Sequence, residues 1–246
     1  MKFKTLRILW AAWFFILFVV VFAILYIPFY ILLSNPKWYN AAHKLRKFWG
    51  YCIVYPSGLF PIVIFEEKPD INKTYIFCPN HFSYLDIIIT TLLIPNYFNF
   101  MAKDELTKIF GFNIFFKTID IPVNRRSIKK SHEAFKIADE RIKNGASILV
   151  FPEGGIKKNY PNLSNFKSGA FRLAIENQIP IVPITIIDNW KRMSGGGFSN
   201  GLLPGKMRMV IHRAIPTIGL KPEQKDELKG KVFGIIDAEL KKYLKF

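Results

Sequence analysis

A histidine and an aspartate lie five residues apart in the segment YIFCPNHFSYLDIII, residues 75–89. His81 follows an apolar run that is typical of a buried strand, and Asp86 opens the next apolar run. Polar groups between two segments bound for a core are costly unless they are bonded or used. Imidazole changes charge nearest neutral pH, which suits His81 to general-base catalysis. Asp86, in the first turn of a following helix, could orient one ring nitrogen and leave the other free to take a proton.

The same residues also allow simpler roles. Asn80 or Ser83 could cap the following helix, with Asp86 favouring its positive end, and an aspartate at this spacing also arises by chance. Cys78 is three residues from His81, but its place at the end of an apolar strand indicates a buried structural thiol. Ser83 lacks the strand-turn context of a nucleophile elbow. If the segment is catalytic, the attacking hydroxyl is therefore expected to belong to the substrate.

The chain after residue 60 alternates short β-branched and aromatic runs with helical patterns, which indicates an α/β fold. We predict a mostly parallel sheet of about seven strands flanked by helices. The strands are expected at residues 61–67, 74–78, 96–102, 118–123, 147–151, 181–187 and 207–212. Ser127 is expected to cap one helix, FKSGAFRLAIENQ (166–178) to form another, and Pro222 to open a C-terminal helix.

Three of these strands end in polar residues. Pro-Asn-His follows strand 74–78, Asn124-Arg125-Arg126 follows strand 118–123, and Pro-Glu-Gly-Gly follows strand 147–151. Ligand sites of open α/β sheets form at the carboxyl ends of strands. We therefore expect a base, a cation suited to phosphate and a polar glycine turn at one edge, although two adjacent arginines are also common as a solvated pair.

The N-terminus carries 29 consecutive residues without a formal charge, residues 8–36, which predicts a segment in or on a bilayer. Basic residues flank it on both sides, so both ends are expected on the cytoplasmic face of the cell membrane. Pro28 and Pro36 favour a shallow helical hairpin; a single tilted span and a signal peptide are the alternatives. Residues 1–50 would form this hairpin with a basic connector, and residues 51–246 the α/β domain.

The charge and the cysteine content of the chain limit the classes of partner and of site that we expect. The chain has 35 Lys and Arg against 18 Asp and Glu, a net charge of +17, which favours an anionic partner such as phosphate, nucleic acid or an acidic membrane. Compositional bias explains such a charge equally well. No nucleic-acid-binding motif is present, so a nucleic-acid partner is not expected. Two cysteines without ligand spacing exclude a disulfide framework and predict no metal site.

Four motifs in this order resemble the membrane glycerolipid acyltransferases, typified by bacterial 1-acylglycerol-3-phosphate acyltransferase. NHFSYLD matches N-H-x4-D, and GFNIFFKTIDIPVNR matches a second motif that ends in arginine. FPEGG matches F-P-E-G-T except at Gly155, and IVPI matches the fourth motif. The resemblance covers residues 60–215.

The resemblance implies that His81, oriented by Asp86, deprotonates the sn-2 hydroxyl of lysophosphatidate, which attacks the thioester of acyl-CoA or acyl-carrier protein. No cofactor is implied. The resemblance also implies a set of substrate-binding residues, which are Asn80, Lys103, Arg125, Glu153 and Gly154. Of these, the cations Lys103 and Arg125 would bind the acceptor phosphate. Because Gly155 replaces a threonine, another lysolipid, such as a lyso-ornithine or lyso-glycine lipid, is an alternative acceptor. A non-catalytic membrane module that binds anionic lipid or nucleic acid is the alternative outside enzymes.

Overall fold

The computed structural model describes residues 2–109, 111–124, 126–195 and 197–243. It contains one sheet of seven strands in the order β1-β7-β6-β2-β5-β3-β4. All seven predicted strands are confirmed, with ends shifted by a few residues. Their bounds are β1 Leu59–Phe65, β2 Ile76–Pro79, β3 Phe98–Lys103, β4 Ile121–Val123, β5 Ser147–Leu149, β6 Ile181–Ile186 and β7 Gly205–Ile211.

The sheet is mostly parallel, as predicted. The five adjacent strands β6, β2, β5, β3 and β4 pair in parallel with one another. Strand β7 pairs antiparallel with β6, and β1 pairs parallel with β7. Five strands therefore end at the same edge of the sheet, which we call the carboxyl edge.

Eight α-helices accompany the strands in the part of the chain that the structure describes. Ser127 caps its predicted helix, because its hydroxyl oxygen accepts the backbone N–H of Lys130 at 3.3 Å. Pro222 begins a short 3-10 turn that leads into the C-terminal helix, also as predicted. The helices are α1 Lys2–Leu33, α2 Tyr39–Val54, α3 Leu85–Leu93, α4 Asn113–Phe116, α5 Ile128–Lys143, α6 Gly169–Glu176, α7 Asn189–Arg192 and α8 Lys225–Tyr243.

Helices cover both faces of the sheet. Successive strand residues point to opposite faces, so in β2 Phe77 packs with the N-terminal helices while Ile76 and Cys78 pack with α5, α6 and α8. Both faces of β2 are buried, which explains its continuously apolar sequence. The polar residues that follow this strand therefore stand out at the carboxyl edge.

The first helix differs from the prediction at Pro28. Helix α1 continues through Pro28, and the chain turns instead at Asn35, whose side chain accepts the N–H of Lys37 at 3.0 Å. Long apolar helices tolerate an internal proline when neighbouring structure supports the backbone, whereas Asn35 followed by Pro36 starts a new helical turn. The apolar segment is therefore one continuous helix rather than the two helical pieces expected from Pro28, and α2 packs against it after the turn.

The N-terminal helices share a core with the sheet. Phe29 of α1 and Ile53 of α2 lie in the same apolar cluster as Phe77 of β2. The boundary expected between residues 50 and 51 falls inside α2. Residues on both sides of that position belong to one apolar core, so α1 and α2 are packed onto the sheet.

Helix α1 leaves a wide apolar face uncovered. Residues 4–33 are the one stretch within the described residues that is long and apolar enough to cross a membrane, and 22% of its most apolar window is buried. A contiguous exposed apolar surface of this length is typical of a membrane-associated helix. Its most exposed large residues are Leu6, Leu9, Ile24, Ile27 and Tyr30.

Candidate active site

The turn between β2 and α3 brings His81 and Asp86 into contact. Nδ1 of His81 lies 3.0 Å from Oδ2 of Asp86. The same carboxylate oxygen accepts the backbone N–H groups of Phe82 at 2.7 Å and Ser83 at 2.8 Å. Asp86 occupies the first turn of α3, as expected from its spacing to the histidine. The turn is therefore folded around the carboxylate, which is fully buried.

This arrangement fixes the chemistry of the imidazole. A carboxylate only accepts hydrogen bonds, so Nδ1 of His81 carries a hydrogen and Nε2 of the neutral ring has the free lone pair. Within the described residues, no group bonds to Nε2. The His81 side chain retains 11% exposure while Asp86 has none. The pair can take up a proton at Nε2 and stabilise the resulting imidazolium.

The turn after β5 holds the same histidine from two sides. The ring of Phe151 stacks on the His81 imidazole with 3.9 Å between ring centroids and 20° between planes. The carboxylate of Glu153 accepts the backbone N–H of His81 at 2.8 Å and that of Ser164 at 3.0 Å. Burial raises the pKa of Glu153, against the opposing effect of these two hydrogen bonds. Two of the three predicted strand ends therefore meet.

Glu153 and Asn80 both have roles other than the substrate contact implied by the family resemblance. Glu153 is almost fully buried, and both its oxygens accept backbone N–H groups. Asn80 is fully buried; its Oδ1 accepts the N–H of Ile186 at 2.7 Å and its Nδ2 donates to the Ile186 carbonyl at 3.0 Å. Asn80 thus continues the pairing of β2 with β6. Both side chains therefore hold the turn, and their predicted contact with substrate stays a prediction.

Gly154 adopts a backbone conformation that favours glycine, with φ of +74°. A Cβ atom at this position would lie 2.8 Å from Cε of Lys167. The Lys167 side chain therefore occupies the space in which a Cβ atom at residue 154 would lie. Gly155 has φ of +134°, so the residue that departs from the family motif also sits where a side chain is disfavoured.

The cations expected at the site come from two neighbouring strand ends. Lys103 ends β3 in register with Val123, the last residue of β4, and its side chain is exposed. Asn124 donates a hydrogen bond from Nδ2 to Asp104 Oδ2 at 2.7 Å, which ties the two strand ends together. Arg125 follows Asn124 but lies outside the described residues. Its predicted contact with phosphate stays a prediction.

Asn189 is a site residue that sequence reasoning missed. It begins α7 directly after β6, and its Nδ2 donates to Asp86 Oδ1 at 2.9 Å. A second link comes from Ser83, whose hydroxyl donates to the Met193 carbonyl at 2.6 Å. The rule that polar residues after a strand form the site, applied to strand 181–187, would have found Asn189.

Two further side chains bear on the chemistry. Cys78 is fully buried and burial raises the pKa of its thiol, so it is structural, as predicted. Within the described ranges, no three His, Cys, Asp or Glu side chains group as metal ligands would. The prediction that the site works without a metal stays a prediction.

Residues 62–187 match the sequence model of one protein family, described as Acyltransferase. The match covers 126 of the 246 residues. The chain belongs to the acyltransferase family. The motif segments with His81, Asp86, Arg125 and Glu153 all lie inside the matched range, so the predicted family is confirmed.

Two plant relatives and one solved structure resemble this acyltransferase. A chloroplastic 1-acyl-sn-glycerol-3-phosphate acyltransferase of Arabidopsis thaliana is 32% identical over 201 residues, covering 80% of this chain and 55% of the relative. A chloroplastic enzyme of the same name from Brassica napus is 31% identical over 194 residues, covering 77% and 54%. The chain thus spans about half the length of these curated relatives.

The solved structure is the 1-acyl-sn-glycerophosphate acyltransferase PlsC of Thermotoga maritima. It superposes with a TM-score of 0.80 at 22% identity and covers 99% of this chain and 98% of the other. The predicted fold class is therefore confirmed.

Proposed function

We propose that this acyltransferase moves a fatty acyl group from an acyl thioester to the sn-2 hydroxyl of lysophosphatidate, forming phosphatidate in phospholipid synthesis. The observation that carries the proposal is the 3.0 Å contact of His81 Nδ1 with Asp86 Oδ2, which leaves Nε2 open in a chain of the acyltransferase family. The names of its plant relatives, 1-acyl-sn-glycerol-3-phosphate acyltransferases, support the choice of acceptor.

The reaction needs one base and no protein nucleophile. Nε2 of His81 takes the proton of the acceptor hydroxyl as its oxygen attacks the thioester carbonyl carbon. The carbon–sulfur bond then breaks, the ester forms, and the departing sulfur takes the proton back from Nε2 as the free thiol. Asp86 stabilises the imidazolium between the two transfers. Ser83, whose hydroxyl is bonded to the Met193 carbonyl, is not available as a nucleophile.

Cations at the carboxyl edge would bind the acceptor phosphate. Lys103 ends β3 in register with Val123, the last residue of β4, and its side chain is exposed. Guanidinium offers phosphate a bidentate fork and ammonium a compact point charge. The exposed end of β3 supports the substrate role implied for Lys103, and the role of Arg125 rests on the family resemblance. The net charge of +17 further favours anionic lipids.

Helix α1 would bring the lipid substrates to this edge. Near its start, the Arg7 carbonyl accepts the N–H of Leu202 at 3.0 Å, in the segment between β6 and β7. Farther along, Phe22 and Tyr26 lie beside Gly111, in the segment that leaves β3. Both segments leave strands at the carboxyl edge, so α1 runs along the edge that carries His81. We place this side on the cytoplasmic face of the cell membrane, where lysophosphatidate need not be extracted into water.

The proposal is tested by thiol release from detergent-solubilised enzyme. Long-chain acyl-CoA and acyl-carrier protein serve as separate donors, with lysophosphatidate and phosphate-free lyso-aminolipids as acceptors. We expect release that needs lysophosphatidate and is lost in His81→Ala. His132→Ala is the matched control, because His132 is exposed on α5 and belongs to none of the four motifs.

The other outcomes separate the alternatives. Release only with a lyso-aminolipid would keep the His81 chemistry and replace the acceptor, consistent with Gly155 in the motif. Absence of release with every acceptor, with vesicle binding intact, would contradict the enzymatic proposal and favour a lipid-binding module. The donor that gives the faster thiol release, acyl-CoA or acyl-carrier protein, identifies the acyl carrier that the enzyme uses.

A further inference from the structure

The two oxygens of Asp86 have different partners. Oδ2 accepts from His81, Phe82 and Ser83. Oδ1 has one partner among the described residues, the side-chain amide of Asn189, at 2.9 Å. Asp86 is fully buried, so bulk water does not reach Oδ1 to replace the Asn189 donor. The carboxylate side away from His81 therefore depends on Asn189.

The amide of Asn189 is itself committed to this bond. Asn189 is 1% exposed, and its own Oδ1 has no partner within the described part of the chain. A buried amide oxygen without a partner is costly. Turning the amide over would place that oxygen against the Asp86 carboxylate, where two acceptors repel. The orientation seen is thus the one that Asp86 requires.

We propose that Asn189 is a positioning residue for acyl transfer, which holds Asp86 Oδ1 so that Oδ2 stays aligned with His81 Nδ1. The role in acyl transfer rests on the proposed function. The carboxylate torsion of aspartate is soft, so a bond at each oxygen is what fixes its plane. The bond from Ser83 to the Met193 carbonyl ties the end of the same α7 segment to the catalytic turn.

Loss of this bond changes the charge that faces the imidazole. The hydrogen bond from the Asn189 N–H partly neutralises the negative charge on Asp86 Oδ1. Without this bond, the Asp86 carboxylate attracts a protonated His81 ring more strongly. The imidazole of His81 should then titrate at a higher pH in Asn189→Leu, which keeps the side-chain size and removes the donor.

The test follows the histidine rings by NMR in the full chain with labelled histidine. The chain has four histidines, and His81→Ala identifies the resonance of interest. We expect the His81 midpoint to rise by about half a pH unit or more in Asn189→Leu. Asn96→Leu is the matched control, because Asn96 is also a buried asparagine but bonds to the carbonyls of Asp70 and Lys73.

A kinetic readout accompanies the titration. We expect kcat to fall about 10- to 100-fold in Asn189→Leu, as for loss of a hydrogen bond to a charged group, with little change in KM for the acceptor. Asn189→Ser restores a small donor, should recover part of the rate, and serves as the variant if Asn189→Leu does not fold.

The two proposals fail in different ways. An unchanged His81 midpoint in Asn189→Leu would overturn the positioning role whether or not the enzyme transfers acyl groups. Wild-type transfer with Asn189 variants that lose no more rate than Asn96→Leu would also overturn it and leave the proposed function standing. A shifted midpoint in a chain that releases no thiol would support the contact and remove its assignment to acyl transfer.

Discussion

The carboxylate of Glu153 accepts the backbone N–H of His81 at 2.8 Å, so the turn after β5 holds the turn after β2. Its second oxygen accepts the N–H of Ser164 at 3.0 Å, which adds the loop that leads to α6. One buried side chain therefore joins its own turn to a turn 72 residues away and to a loop 11 residues away. The carboxylate in the FPEGG segment owes its place to this geometry, since backbone donors there would otherwise be buried without acceptors.

Replacing Glu153 should damage both stability and rate. Glu153→Ala leaves the N–H groups of His81 and Ser164 without acceptors in a buried site, which costs about 1–3 kcal/mol for each group. We expect a lower unfolding free energy in denaturant and a loss of thiol release beyond the loss of folded protein. Glu176→Ala is the control, because Glu176 pairs with Arg172 on an exposed face of α6. Equal effects of the two substitutions would contradict this role.

The fold was predictable because its signals are local and repeated. Each strand is an apolar run between turn residues, and parallel pairing follows from the alternation of strands and helices. Asp86 was placed correctly because five residues of turn and helix leave few alternatives. The continuation of α1 through Pro28 was not predictable from the proline alone, since it depends on packing along the helix.

The site was predictable only to the level of which segments meet. The sequence places Glu153 and Asn80 at the carboxyl edge, but their hydrogen-bond partners are backbone groups of Ser164 and Ile186. Backbone partners leave no residue-type signal at the far position. Asn189 was missed for a related reason, because its link to Asp86 spans 103 residues and depends on the order of strands in the sheet.

Gly154→Ala should destabilise the protein. Its φ of +74° is unfavourable for a residue with a Cβ atom, and that atom would lie 2.8 Å from Cε of Lys167. We expect a loss of about 1–2 kcal/mol in unfolding free energy. Gly234→Ala is the opposite case, because it lies inside α8 with open space around it and should stabilise by about 0.5–1 kcal/mol. A loss of the same size at both positions would contradict the backbone argument.

The buried ion pair of Arg46 and Asp120 fastens α2 to the sheet. The two side chains approach to 2.9 Å, and the Asp120 carboxylate also accepts the N–H of Phe100 at 3.0 Å. Removing one partner leaves an uncompensated buried charge, so Asp120→Asn should lower the unfolding free energy by about 3–5 kcal/mol. Denaturant unfolding of the wild type and of Asp120→Asn measures this difference in unfolding free energy.

A double-mutant cycle gives the control for that prediction. Arg46→Met combined with Asp120→Leu removes both charges and should recover part of the stability lost in either single variant. The exposed pair of Lys143 and Asp139 provides the comparison, since Asp139→Asn should cost about 0.5 kcal/mol or less. Additive losses at Arg46 and Asp120 would show that the two charges do not interact.

The titration of Lys47 should make the free energy of unfolding depend on pH in the alkaline range. Burial, followed by the nearby charge of Arg46, lowers its pKa from 10.5 to about 8, while its ammonium donates to the carbonyl of Ile94. Between these two pH values the unfolded chain binds more protons than the folded one, so the stability contribution of Lys47 rises as pH increases through this window. Lys47→Met should flatten that slope in unfolding experiments from pH 7 to 10.5. An identical slope in the variant and the wild type would show that other groups carry it.

The exposed face of α1 should govern binding to lipid vesicles. Ile24 and Ile27 are each 69% exposed on this helix, and burial of such side chains in a bilayer contributes about 1.5–3 kcal/mol each. Ile24→Asn with Ile27→Asn should therefore weaken flotation with anionic phospholipid vesicles by more than tenfold, since each asparagine replaces that gain with the burial of a polar amide. Ile71→Asn with Ile218→Asn is the matched control, because those side chains are 65% and 81% exposed but lie outside α1. Equal loss of binding in both double variants would mean that general surface apolarity draws the protein to lipid. Retention in the α1 variant with loss at high salt would instead assign binding to the basic side chains.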